Sequence, residues 1–221
     1  MLTAVIFDMD GVLIDSEPLW QDEERRIFAE LGLTLTRQMQ EATFGLAPKE
    51  MIEHWYTYKP WKSPAVDEIK EQLLTRVTRR ILDECEALPG VHTIIDFFKE
   101  KKLMIGLASS SPINLIKPAL MKLGIEKKFD VLCTAEEEGF AKPHPAVYIA
   151  AYRKLNMHPS RCLAVEDSFN GLLSAKSARL KVLAVPDEMH FENHVFDIAD
   201  VKLRSLEEFT EAHFEYLNNI N

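Results

Sequence analysis

Short apolar runs without polar alternation recur along the chain, at Thr3–Phe7, Leu103–Ala108, Val131–Thr134, Cys162–Val165, Val182–Val185 and, more weakly, Val201–Leu203. A strand with one solvated face alternates apolar and polar side chains, whereas a strand covered on both faces does not need to. Longer helical patterns separate the runs, at Thr93–Lys101, Pro112–Leu123, Ala146–Leu155, Phe169–Ala178 and Leu206–Leu217. This alternation predicts an α/β fold, a doubly wound parallel sheet covered by helices.

Residues 17 to 88 break the rhythm. They hold no convincing strand but three helical patterns with start signals: Ser16 and Pro18 before Leu19–Leu31, Pro48 before Lys49–Tyr58, and Ser63 and Pro64 before Ala65–Ala87. The chain is therefore expected to fold as a core from residues 1–15 and 89–221 with a helical module, 16–88, inserted after the first strand. Composition supports a large core, since 47% of the residues are apolar and 35 acidic side chains face only 26 lysines and arginines, a balance that excludes disorder.

Cys85, Cys133 and Cys162 are odd in number and form no C-x-x-C pair, which suggests neither a disulfide framework nor a thiolate zinc cage and fits a reducing cytoplasm. No stretch approaches the roughly 18 apolar residues of a spanning helix, and no basic region or small-residue cleavage site surrounds the first apolar run, so neither a membrane nor secretion is expected. The net charge of −9 is concentrated in residues 186–221, which hold nine acids against Lys202 and Arg204. No basic face is left for nucleic acid, while a phosphorylated small molecule is not repelled by the rest of the chain.

The chemistry is expected at the ends of the strands. Asp8 and Asp10 follow the first run, and in extended backbone residues i and i+2 point to one side, so both carboxylates can face one pocket. Two like charges that close need a cation or a shared proton. Ser109, Ser110 and Ser111 end the second run beside a helix opening at Pro112, where hydroxyls and amides could hold a phosphoryl group. Lys142, in Ala141-Lys142-Pro143-His144-Pro145, follows the third run, and Glu166 and Asp167 follow the fourth. Singly, each feature has a plain structural explanation as a helix cap, a surface lysine or a solvated acidic pair. Four such features on successive strand ends, in a fold that binds ligands at those ends, point to a site.

The segments FDMDGVLIDS, the serine after LMIGLA, the lysine of AKPHP and the pair in LAVEDSFNG resemble the four motifs of the haloacid dehalogenase-like hydrolases, in the sugar-phosphate phosphatase and β-phosphoglucomutase branch. The resemblance spans nearly the whole chain and implies a Rossmann-like core with a cap, residues 16–88, that controls substrate access. It implies that Asp8 is the nucleophile that forms an aspartyl-phosphate. Asp10 would be the general acid and base, with its backbone carbonyl toward a Mg²⁺ ion. Asp8 and Asp167 would be metal ligands, with Glu166 a direct or supporting one. Ser109, the Ser110 amide and Lys142 would hold the phosphoryl oxygens.

Within that branch the segments Ser16-Glu17-Pro18-Leu19-Trp20, His54-Trp55-Tyr56 and Lys59-Pro60-Trp61 are similar to bacterial hexitol-phosphate and 2-deoxyglucose-6-phosphate phosphatases. Mutases carry a His four residues after the first motif's Ser or Thr, where this chain has Trp20, and an Arg near the Gly45 segment that has no counterpart here. The resemblance thus implies a cytoplasmic, monomeric, Mg²⁺-dependent phosphatase of small sugar or polyol monophosphates. A β-phosphoglucomutase-type phosphotransferase and a non-catalytic protein of the same fold are the alternatives. A dehalogenase is disfavoured by the second carboxylate, Asp10. Trp20, Trp55 and Trp61 either stack on a sugar or pack the cap, and Glu17, Gly45 or Lys49 could meet the leaving group. His190, Glu192 and His194 lack helical metal-ligand spacing and read as surface. No G-x-S-x-G, G-x-x-x-x-G-K or G-x-G-x-x-G occurs, which leaves serine-hydrolase and nucleotide-dependent chemistry without footing.

Overall fold

The computed structural model describes residues 1–220; Asn221, the last residue of the expected core range, lies outside the described residues. The strands β1 (Ala4–Phe7), β2 (Met104–Ser109), β3 (Val131–Thr134), β4 (Cys162–Glu166), β5 (Lys181–Ala184) and β6 (Val201–Lys202) form one sheet in the order β3-β2-β1-β4-β5-β6. Every pairing is parallel, with Phe7 in register with Leu107 on one side and Val165 on the other. The chain winds outward from β1 to β3 and then returns to the far side of β1 for β4 to β6. Right-handed crossovers therefore place helices on both faces. The intervening helices are α5 (Val91–Glu100), α6 (Ile113–Lys122), α7 (Ala135–Glu138), α8 (Ala146–Lys154) and α9 (Phe169–Ser177), with α10 (Glu211–Asn219) closing the described chain.

Burial on both faces explains the missing alternation. All four residues of β1 are buried. Ile6 joins a cluster that includes Tyr148, Leu172 and Val182, while the next residue, Phe7, meets Phe98 at a ring separation of 6.1 Å and Phe129 at 6.3 Å. The helix expected over Leu206–Leu217 is instead broken into a 3₁₀ turn at Leu206–Glu208 and α10. Phe209 is extended between them, its ring 5.6 Å from Phe97 and 5.4 Å from Phe98, and the Thr210 amide donates to His213 Nδ1 at 3.2 Å to start α10 afresh. Aromatic packing and a cap outweigh helical periodicity there. The short α7 and α2 (Arg37–Ala42) were not expected, since one or two turns carry too little periodicity to register.

Contacts divide the chain into two compact units, one of Met1–Asp15 with Glu86 onward and one of Ser16–Cys85. The sheet unit releases and recovers the chain at neighbouring points: the Leu88 amide donates to Leu13 O at 3.0 Å, and Ile14 pairs with Ala87 in an antiparallel bridge. An insertion between such tethered ends leaves β1 undisturbed.

The second unit is helical: α1 (Glu17–Glu30), α2, α3 (Pro48–Tyr58) and α4 (Val66–Glu84). Its apolar faces carry Ile27 and Phe28, Met51, Ile52 and Trp55, and Ile69, Leu73 and Val77, all buried. Arg80 ties α4 to α1 through Glu23 at 3.3 Å. Trp61 packs edge-on to Phe28 at 6.0 Å and Tyr56 at 4.8 Å and donates its indole N–H to Pro64 O at 2.9 Å, so Trp55 and Trp61 serve the packing of this unit.

One carboxyl in this unit is poised to titrate. The Gln40 amide, buried, donates to Gln21 O at 2.7 Å and to Glu24 Oε2 at 3.1 Å, and its oxygen accepts from Arg25 Nη1 at 2.9 Å. Burial pushes the Glu24 carboxyl up to about 7, against the Gln40 hydrogen bond. A folded-state value above the unfolded one means that stability is fully present below about pH 4.5 and is lost as pH rises through 7. Glu24→Gln, which keeps the acceptor and removes the charge, is expected to raise the melting temperature relative to wild type at pH 8 and to change it little at pH 5. Parallel wild-type and variant melting curves across that range would contradict the assignment.

Candidate active site

Because β1 and β4 are neighbours on either side of the winding reversal, the residues that follow them share one rim, where open α/β sheets bind ligands. The Asp8 amide donates to Val165 O at 3.0 Å, extending the β1–β4 register by one residue and setting where its carboxylate starts. Asp8, Glu166 and Asp167 each bring a carboxylate oxygen within 4.8 Å of the others. Gly11, at φ +74°, makes room for this convergence: a Cβ there would lie 1.9 Å from Asp167 Oδ2.

Lys142 reaches into the same place. It is only 4% exposed, with Nζ 2.9 Å from Asp8 Oδ1 and 2.7 Å from Glu166 Oε1. Burial works against its charge, but Asp8 and Glu166 outweigh that and hold the ammonium above the ordinary lysine value. Burial also pushes the Asp8 carboxyl up to about 7, with Lys142 pulling it down and Glu166 and Asp10 pushing it further up. Active sites commonly raise a carboxyl's proton affinity by burial beside other charges, as at Asp8. Tyr148, fully buried on α8, donates its hydroxyl to Glu166 Oε1, and burial keeps that phenol well above its ordinary value.

The second strand end is folded onto the first. Ser109, the last residue of β2, is fully buried, and its Oγ accepts from the Ser111 amide at 3.0 Å. Ser111 Oγ donates to Asp10 Oδ2 at 2.7 Å, and Thr134 Oγ1, at the end of β3, braces the turn by donating to Ser111 O at 2.8 Å. Asp8, Asp10, Lys142, Glu166 and Asp167, with the Ser109–Ser111 turn, therefore come together at the carboxyl ends of four strands. Trp20, half-buried on α1, and Gly45, at φ +76° before α3, lie in the helical unit. Lys49 there pairs with Asp67 at 3.0 Å.

Sequence reasoning missed Tyr148 and Thr134 and gave Ser111 no role apart from its neighbours. His190 and His194 instead lie 2.8 Å from Asp187 and 2.9 Å from Asp197, and Glu192 accepts from Arg204 at 3.0 Å. Those three residues form no metal cluster among the described residues.

The carboxylate group suits a hard divalent cation. Its donors are all oxygens, and Glu166 Oε2 is buried with no hydrogen-bond partner. A buried carboxylate oxygen left in that condition is costly unless a cation meets it. The single positive charge of Lys142 lies against both Asp8 and Glu166, so it does not by itself balance those two carboxylates and the neighbouring Asp167.

Comparison with known proteins agrees with the geometry. Hexitol phosphatase B of Escherichia coli strain K12 is 39% identical over 210 residues, covering 95% of each chain. A phosphorylated carbohydrates phosphatase of Thermotoga maritima is 31% identical over 180 residues, covering 81% of this chain and 83% of that one. The crystal structure of CbbY from Rhodobacter sphaeroides in complex with xylulose-(1,5)bisphosphate superposes with a TM-score of 0.86 at 26% identity, covering 96% of this chain and 99% of that chain. Residues 5–185, which contain all four of the converging strand ends, match the haloacid dehalogenase-like hydrolases. This chain belongs to that family and is a phosphatase.

Proposed function

We propose that the protein hydrolyses small sugar or polyol monophosphates in a Mg²⁺-dependent reaction that passes through an aspartyl-phosphate on Asp8. The observation that carries this reading is the convergence of the Asp8 carboxylate with the Glu166–Asp167 pair and with the buried Lys142 ammonium, which lies against both Asp8 and Glu166. The phosphatases of phosphorylated carbohydrates among the relatives support the substrate class.

In the first step an Asp8 carboxylate oxygen bonds to phosphorus, the bond from phosphorus to the alcohol oxygen breaks, and Asp10 gives that oxygen its proton. In the second, Asp10 takes a proton from water as the water oxygen bonds to phosphorus and the bond from phosphorus to the Asp8 oxygen breaks, releasing phosphate and restoring the Asp8 carboxylate. Lys142, Ser109 Oγ and the Ser110 amide hold the phosphoryl oxygens, and Ser111 orients Asp10 through its hydrogen bond. Asp8, Asp167, Glu166 and the Asp10 carbonyl would hold Mg²⁺, whose contribution is to offset the negative charge that the carboxylates and phosphate bring together. Within the helical unit, residues 16–88 in the sequence reading, Trp20 and Gly45 are assigned to the sugar or polyol part of the substrate. The working form proposed is a cytoplasmic monomer; among the described residues no helix is long and apolar enough to cross a membrane.

The test is a panel of sugar and polyol phosphates scored by inorganic phosphate release, with Mg²⁺, with EDTA, and with EDTA followed by excess Mg²⁺. Release is expected from monophosphates with Mg²⁺, falling to background with EDTA and returning with the metal, without glucose-1,6-bisphosphate. Conversion of 1-phosphate to 6-phosphate that requires the bisphosphate would make the protein a mutase. Release indifferent to EDTA would remove the metal from the reaction.

A further inference from the structure

The reaction proposed above makes no use of Tyr148. A phenol with no exposed surface needs a hydrogen-bond partner, and Tyr148 spends its hydroxyl on Glu166 Oε1. The same oxygen also accepts from Lys142 Nζ at 2.7 Å, and that ammonium lies 5.2 Å from the centre of the Tyr148 ring, within cation–π range. Gly171 closes the carboxylate from another direction: a Cβ there would lie 2.0 Å from Glu166 Oε2, 2.1 Å from Cδ and 2.2 Å from Oε1. Glu166 is thus held by two donors on Oε1 and by backbone packed against its plane, and only its Oε2 is left without a hydrogen bond.

We propose that Tyr148 is a positioning residue of the cation site: by occupying Glu166 Oε1 together with Lys142, it makes Glu166 present Oε2 alone and so favours Mg²⁺ over larger ions. The inference rests on the metal reading above. A carboxylate free to turn can offer both oxygens, which suits Ca²⁺, with its six to eight ligands at about 2.3–2.6 Å; Mg²⁺ demands near-octahedral geometry at about 2.0–2.1 Å. Groups that fix a ligand's orientation typically change metal affinity by about 10–100-fold when they are removed.

Tyr148→Phe keeps the ring and removes the hydroxyl. Calorimetric titration of the purified full chain with MgCl₂ and, separately, CaCl₂ reads the effect without any turnover. The expected result is an Mg²⁺ Kd weakened about 10-fold with the Ca²⁺ Kd within about 3-fold of wild type, so that discrimination between the ions falls. A purely structural role would move both constants together or neither, and either result overturns the proposal. Gly171→Ala, whose methyl displaces the same carboxylate from the other side, is expected to weaken Mg²⁺ in the same way, and unchanged Mg²⁺ binding there would also overturn it. Wild-type protein that binds no Mg²⁺, or binds it as well after Asp167→Asn, would defeat the underlying metal reading instead.

Discussion

Asp8→Asn is expected to lower kcat by at least about 10³-fold while leaving a folded, cooperatively melting protein, since removing the nucleophile of a covalent mechanism leaves only binding and charge stabilisation. The amide matches the carboxylate in shape, so the position of residue 8 after β1, set by its amide bond to Val165 O, is preserved. Its effect on stability has a sign that can be worked out. The folded Asp8 carboxyl sits at about 7 against 3.8 in the unfolded chain, so folding binds its proton more tightly. The associated stability is present below about pH 3.8 and lost as pH rises through 7. Asn has no such proton to lose, and Lys142 keeps Glu166 as its partner at 2.7 Å. In Mg²⁺-free buffer the variant is therefore expected to gain on wild type between pH 5 and pH 8. Full turnover in a folded Asp8→Asn protein would refute the nucleophile, whereas a stability gap that does not change with pH would refute only the burial argument.

The residues that were legible in the sequence are those whose chemistry is written locally. Asp8, Lys142 and Glu166–Asp167 each follow an apolar run, and a parallel sheet carries such positions to one rim whatever the details of packing. Tyr148 was not legible: seen along the chain it is one aromatic in a helical pattern, and its partner Glu166 is 18 residues away on another element. Ser111 stood in view among three serines, but its link to Asp10 spans 101 residues and exists only once β1 and β2 are paired. Glu24 likewise reads as an ordinary charge on α1 until the folded unit half-buries it beside Gln40. The broken C-terminal helix has the same cause, because the ring of Phe209 finds Phe97 and Phe98 only in the tertiary structure.

Lys142→Met is expected to impair both activity and folding, and the balance of the two distinguishes its roles. The side chain is of similar length and apolar, so little volume is lost, but the Asp8 and Glu166 carboxylates are left buried without their ammonium. Removing one partner of a buried ion pair costs about 3–5 kcal/mol, well above the net value of keeping the pair, because the remaining charge is stranded in a poor solvent. The stranded groups can escape that cost by taking up a proton, so the loss is expected to be large at pH 8 and smaller at pH 5.5, giving a stability that falls more steeply with pH than in wild type. Urea unfolding at the two pH values measures it, and an equal loss at both would mean that Lys142 acts through packing. Millimolar Mg²⁺ is expected to restore part of the stability at pH 8, since a cation held by Asp8, Glu166 and Asp167 offsets the same charges. It is not expected to restore kcat, which should remain about 10²–10³-fold down, because a cation held by the carboxylates does not take the place of the ammonium assigned to the phosphoryl oxygens as charge moves onto them. Recovery of both together would show that Lys142 serves only to neutralise the resting carboxylates and takes no part in holding the transferred group.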